Sequence, residues 1–108
     1  MGEGRVALVT GGGTGLGRAT AKALAEAGFA VAIAGRRADV CETSASQLRD
    51  EVVGATVSAY QADVADPNAV EQLVAAVIKD LGGLDVLVAA AGVYENVSYL
   101  DMTADLWD

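Results

Sequence analysis

Short apolar runs and helical patterns alternate along the chain, and that alternation narrows the possible folds more than any other feature. "RVALVT" (Arg5 to Thr10), "FAVAIAG" (Phe29 to Gly35), "TVSAYQ" (Thr56 to Gln61) and "LDVLVAAAG" (Leu84 to Gly92) read as strands. Unbroken apolar runs of this length suit strands buried on both faces. Between the first two, Leu16, Ala19, Ala23, Leu24 and Ala27 fall on one helical face, and Gly28 stops the helix. A weaker pattern over 38–53 predicts a second helix with Val40, Leu48 and Val52 inward. The third is the clearest. Asp66 can cap it and Pro67 suits its first position. Val70, Leu73, Val74, Val77 and Leu81 then recur at helical spacing, and Gly82-Gly83 end it. Thr103 could cap a last helix. Helices joining buried strands imply right-handed crossovers and a parallel sheet covered on both faces. The expected fold is therefore α/β, a doubly wound parallel sheet of Rossmann type, with about four strands forming its N-terminal half.

Glycines stand where the first strand hands over to the first helix. "TGGGTGLG" (Thr10 to Gly17) is mostly glycine, although glycine costs roughly 0.5–1 kcal/mol relative to alanine in a regular element. A helix N-terminus offers unpaired amides and a partial positive charge, which suit a pyrophosphate. Gly11 would allow the turn, Gly15 a close backbone approach, and Gly17 close packing of helix on sheet. The spacing is G-x-x-x-G-x-G, not the more familiar G-x-G-x-x-G. A tight turn without a ligand is the alternative reading. The dinucleotide pattern expects an acidic residue at the end of the second strand, to hold the ribose. Here Gly35 is followed by Arg36 and Arg37. Guanidinium binds phosphate well, whereas a carboxylate repels it. That favours NADP, with NAD the alternative. Asp39 is the rival acid, placed to cap or flank the next helix.

The totals exclude several other functions. The chain has 108 residues, within the range of one domain, and 53% are hydrophobic. Up to Arg37 there are five basic and two acidic residues; beyond it there are two and thirteen. The net charge of −8 argues against a nucleic-acid partner. No apolar run approaches the roughly 18 residues of a membrane span, and "MGEGR" does not look like a signal peptide. With a single cysteine, Cys41, this leads us to expect a soluble, cytoplasmic protein without a membrane partner. The absence of histidine removes the Ser-His-Asp triad and the usual zinc sets.

Four segments, in order, resemble the short-chain dehydrogenase/reductase family. They are "TGGGTGLG" for its T-G-x-x-x-G-x-G turn, "GRR" at the second strand's end, "ADVAD" (Ala62 to Asp66), and "LDVLVAAAGV" for the segment usually ending N-N-A-G. The resemblance implies a nicotinamide cofactor held by Gly11, Gly13, Thr14, Gly15, Leu16 and Gly17 at the phosphates, and by Arg36 and Arg37 at the ribose phosphate. It places Asp63 and Val64 at the adenine, and the backbone of Ala90, Ala91 and Gly92 beside the nicotinamide ribose. Gly13 stands where relatives often carry a phosphate-contacting serine, and Thr14 where some NADP-using relatives carry a basic residue. Ala89 and Ala90 replace the family's two asparagines, so the bracing these give the sheet is missing. The family also uses a Y-x-x-x-K pair. Tyr60, Tyr94 and Tyr99 are followed four residues on by Val64, Ser98 and Thr103, so this chain holds no such pair. The expectation is the N-terminal cofactor-binding part of an oxidoreductase. Such an enzyme would act on an alcohol or carbonyl and form a homo-oligomer, a tetramer or dimer. Tyr94 and Glu95 are expected to edge the substrate cleft. A non-catalytic dinucleotide-binding or interaction module is the alternative. As the last strand, Leu84 to Gly92 would leave an apolar sheet edge exposed, which invites association.

Overall fold

The computed structural model describes residues 4–11 and 15–89, and the backbone of 92–95. Its elements alternate as the sequence predicts: β1 (Val6–Thr10), α1 (Gly15–Glu26), β2 (Ala30–Gly35), α2 (Ala38–Glu51), β3 (Val57–Gln61), α3 (Pro67–Leu81), β4 (Val86–Ala89) and β5 (Gly92–Glu95). They form one sheet in the order β3-β2-β1-β4-β5. The first four strands are parallel, with Leu8 of β1 opposite Ala32 of β2 on one side and Leu87 of β4 on the other.

Alternation along the strands divides the core in two. Ala7, Val9, Val31 and Ile33 point to the face covered by α1 and α2, where they meet Ala21, Ala25, Cys41, Ala45 and Leu48. Val6, Leu8, Ala32, Ala34 and Leu87 point to the other face and meet Val70, Leu73, Val74 and Val77 of α3. Asp85 fastens β4 to β1 at the far end from the loops. Its Oδ2 accepts from the Val6 amide at 2.8 Å, and its own amide donates to Val6 O at 2.8 Å.

Helix α3 has the bounds and caps expected. Asp66 accepts from the Asn68 amide at 3.0 Å, Pro67 opens the helix, and Gly82 closes it at φ +90°. The inward faces of the other two helices differ from expectation. In α1, Leu16 is 83% exposed and Ala19 and Ala23 face solvent, while Ala21 and Ala25 are buried. Only Leu24 and Ala27 of the predicted face pack against the core. In α2 the buried residues are Cys41, Ser44, Ala45 and Leu48, and Val40 and Val52 are only half-buried. In α1 the contact is made by other alanines than expected, and in α2 cysteine, serine and alanine join the expected Leu48. Across the two helices, Arg18 bonds Gln47 at 3.1 Å and pairs with Glu51, which also meets Lys22 at 3.5 Å.

The fourth strand is also corrected. It ends at Ala89, and Gly92 belongs to β5, which returns antiparallel along β4, with Val88 opposite Val93 and Ala89 opposite Gly92. The sheet is therefore not parallel throughout, and β5 pairs with the β4 edge expected to lie open. The expected final helix at Thr103, and Ser98 and Tyr99, lie outside the described residues.

Candidate dinucleotide site

The C-terminal ends of β1, β2, β3 and β4 converge on a cleft of about 570 Å³. The strand order explains its place. The chain steps from β1 to β2 on one side and reaches β4 on the other, and a parallel sheet opens a crevice at such a switch point. Thr10 Oγ1 reaches across this gap to Val88 O at 3.4 Å.

Gly11, Gly15, Leu16 and Gly17 belong to the turn and the first residues of α1. Gly11, Leu16 and Gly17 line the cleft. The Gly11 amide donates to Ala34 O at 2.8 Å, so the turn starts from a point tied to β2. Gly11 has φ +73° and Gly15 φ +59°, and a Cβ at either would touch nothing within 4 Å. In the protein alone, then, it is the left-handed backbone that calls for glycine at these two positions. The first turn of α1 carries no acidic residue, so the positive end of the helix is not offset from within. Leu16 presents an apolar side chain on the cleft wall. Gly13 and Thr14 lie outside the described residues.

Two arginines follow β2, and the structure separates them. Arg36 lines the cleft, and its carbonyl accepts from Gln61 Nε2 at 3.2 Å, which holds the strand end in place. Among the described residues its guanidinium has no partner. Arg37 does not line the cleft. It bonds Asp39 Oδ2 at 3.0 Å on the surface, and this contact holds the Asp39 carboxyl below its ordinary range. Asp39 thus flanks α2 without capping it, since Arg37 is the N-cap residue and makes no side-chain cap bond.

After β3, Asp63 and Val64 both line the cleft. Asp63 Oδ1 accepts from the Ala65 amide at 3.0 Å and its carbonyl from the Asp66 amide at 3.0 Å. That turn orients the carboxylate and leaves Oδ2 without a partner among the described residues. Val64 also packs against the α3 side of the core. Gly92 opens β5, beside Ala89 of the cleft wall. Ala90 and Ala91 lie outside the described residues. Of Tyr94 and Glu95 only the backbone is described, in β5.

The cleft also includes Thr20, which no motif contained, and Gly35, Ala62 and Val88, which lie inside the quoted segments without an assigned role. The available signal was positional, since strand ends meet at one side of a parallel sheet. Gly35 attracted notice only for the acid it lacks. Its neighbour Cys41 is buried, and that burial, with Asp39 and Glu42 adding, pushes the thiol up from its ordinary range. Tyr60, the described tyrosine with a placed side chain, is turned away from the cleft. Its hydroxyl donates to Asp80 at 2.9 Å.

The set suits a long, anionic, two-ended ligand: a helix start, whose first amides have no partner within the helix, apolar walls and, among the described residues, an unpartnered guanidinium and carboxylate oxygen. Comparison with known proteins points the same way. The short chain dehydrogenase family profile matches residues 5–108. A short-chain dehydrogenase/reductase of Armillaria gallica is 42% identical over 106 residues, covering 98% of this chain and 41% of that protein. Among solved structures, an NAD+-bound xylitol dehydrogenase superposes with TM-score 0.73 at 36% identity, covering 79% of this chain and 32% of the other. An alcohol dehydrogenase from the archaeon Thermococcus sibiricus, complexed with 5-hydroxy-NADP, superposes with TM-score 0.71 at 36% identity, covering 77% and 35%. The chain thus spans less than half the length of each of these proteins. From its fold, its glycine turn and these likenesses, the chain belongs to the short-chain dehydrogenase family.

Proposed function

We propose that the protein is an oxidoreductase that moves hydride between NADP and an alcohol or carbonyl substrate, with this chain supplying the cofactor-binding part. The observation that carries the cofactor choice is Arg36 on the cleft wall at the end of β2, its guanidinium without a partner among the described residues, with Gly35 where an acid would hold the NAD ribose. When bound, the nicotinamide supplies or accepts the hydride.

This chain's residues hold and orient the cofactor. The amides at the start of α1 receive the pyrophosphate, and the turns at Gly11 and Gly15 keep those amides exposed. Arg36 pairs with the ribose phosphate, while Arg37, engaged with Asp39, gives it longer-range support. Asp63 accepts from the adenine amino group and Val64 packs beside the ring. Gly13 and Thr14 extend the phosphate turn, and the backbone of Ala90, Ala91 and Gly92 borders the nicotinamide ribose. The relatives include proteins named for NAD and for NADP, and one, the L-rhamnose 1-dehydrogenase of Azotobacter vinelandii, is named for either. The local charge at Arg36 therefore decides the choice in this reading. Cytoplasmic location and homo-oligomeric assembly complete the proposal. No described helix is long and apolar enough to cross a membrane.

The test is titration of NADPH and NADH into the protein, followed by nicotinamide fluorescence. NADPH should bind more tightly, and Arg36→Asp should cut that preference by about tenfold or more, the scale of one hydrogen bond to a charged group. An unchanged ratio in Arg36→Asp removes the assignment.

A further inference from the structure

In a sheet of this topology the end of β2 faces a dinucleotide's adenosine ribose. Here that end is tight for a side chain. A Cβ on Gly35 would lie 3.2 Å from Cys41 Sγ, closer than side chains normally approach. Backbone conformation does not demand glycine at this position, because its φ lies outside the left-handed range. The neighbour favours it, since a Cβ there would require Cys41 Sγ to give by a few tenths of an ångström. Cys41 is 2% exposed and sits in the first turn of α2, packed in the same core as Val9, Val31, Ile33 and Ala45. Its sulfur has little room to move aside without disturbing that core.

Resting on the dinucleotide reading above, we infer that Cys41 is a specificity-determining residue of the site. Its sulfur keeps position 35 a glycine, which denies the ribose a carboxylate and leaves that end of the cleft to the Arg36 guanidinium. Cys41 touches no cofactor. It is a positioning residue that acts from beneath the strand, through the side chain it excludes. Residues 35 and 41 are therefore coupled, and an acid at the first is compatible only with a smaller residue at the second. Coupling of this kind appears as non-additivity between directly touching positions.

The experiment compares Gly35→Asp with the double variant Gly35→Asp/Cys41→Ala, in the protein as its gene encodes it. Both are titrated with NADH and NADPH. Gly35→Asp alone should lose NADPH affinity with little gain for NADH. The double variant should bind NADH about tenfold more tightly than Gly35→Asp. Equal NADH affinity in the two overturns the inference. A second measurement needs no ligand and does not require either acidic variant to fold. Gly35→Ala should lower Tm in the Cys41 protein, and lower it less in the Cys41→Ala background. Equal shifts in both backgrounds overturn the inference alone. Failure of the wild-type protein to bind either dinucleotide overturns the dinucleotide reading, and this inference with it.

Discussion

Residues of one chemical type have been given different work by their neighbours. Arg36 and Arg37 are adjacent, yet one lines the cleft and the other is bound to Asp39. The sequence names both without separating them, since the separation depends on where α2 begins. Gly11 and Gly35 show the same limit. One suits its φ of +73°, the other sits with a sulfur 3.2 Å from its missing Cβ, and no spacing rule tells these reasons apart. Tyr60 yields a prediction at this scale. Burial, and then its hydrogen bond to Asp80, push its pKa up to about 12. The folded-state value is raised, so the contribution to stability is complete below the ordinary tyrosine range and is lost as pH rises towards about 12. Tyr60→Phe should remove the most alkaline step from the phenolate absorbance titration. If that step survives in the variant, the Tyr60–Asp80 contact is not what raises it.

At the scale of elements, legibility followed the size of the inward residues. Helix α3 presents valine and leucine to the sheet and carries explicit start and stop signals, so its bounds were readable to the residue. Helices α1 and α2 press small residues against the sheet, and Ala21, Ala25, Cys41 and Ser44 carry little hydrophobic signal. Their existence was legible but their rotation only in part: Leu24, Ala27, Leu48 and Val52 meet the core as expected, while Leu16, Ala19 and Ala23 do not. The hairpin of β4 and β5 was missed because the run from Leu84 to Gly92 reads as one apolar segment, with no Asn-Gly or Pro-Gly pair to mark the turn. For α3 the cap predicts a measurable cost. Asp66→Ala removes the acceptor for the Asn68 amide and should destabilise the protein by about 1 kcal/mol. In urea the midpoint should fall with the slope unchanged, and Asp66→Asn should restore most of it. A wild-type midpoint for Asp66→Ala would show that Pro67 alone sets the helix start.

For the whole molecule, the described sheet ends on β3 at one side and β5 at the other. Beta strands at an edge present unpaired backbone groups to other chains. The 108-residue chain alone should therefore self-associate at micromolar concentration, now through β5 and not β4. Val93→Lys places a charge on that edge strand and should shift light scattering towards the monomer. A wild-type chain that scatters as a monomer would show that this edge is not adhesive. The doubly wound architecture was legible from the alternation of patterns alone. Most residues of the cleft were legible from the motifs and the family resemblance, while the strand order and the antiparallel β5 came from the structure.

The clamp between Asp85 and Val6 joins residues 79 apart in sequence. Of the described strands β1 leaves the ribosome first, and it acquires β2 as a neighbour early. Its other flank stays bare until β4 emerges. While the residues between β1 and β4 are made, one side of the central strand of the described sheet has no partner, and contacts this distant in sequence form slowly. The β4 flank of β1 thus waits longer for its partner than the β2 flank, and the Asp85 clamp closes a contact the early chain does not have.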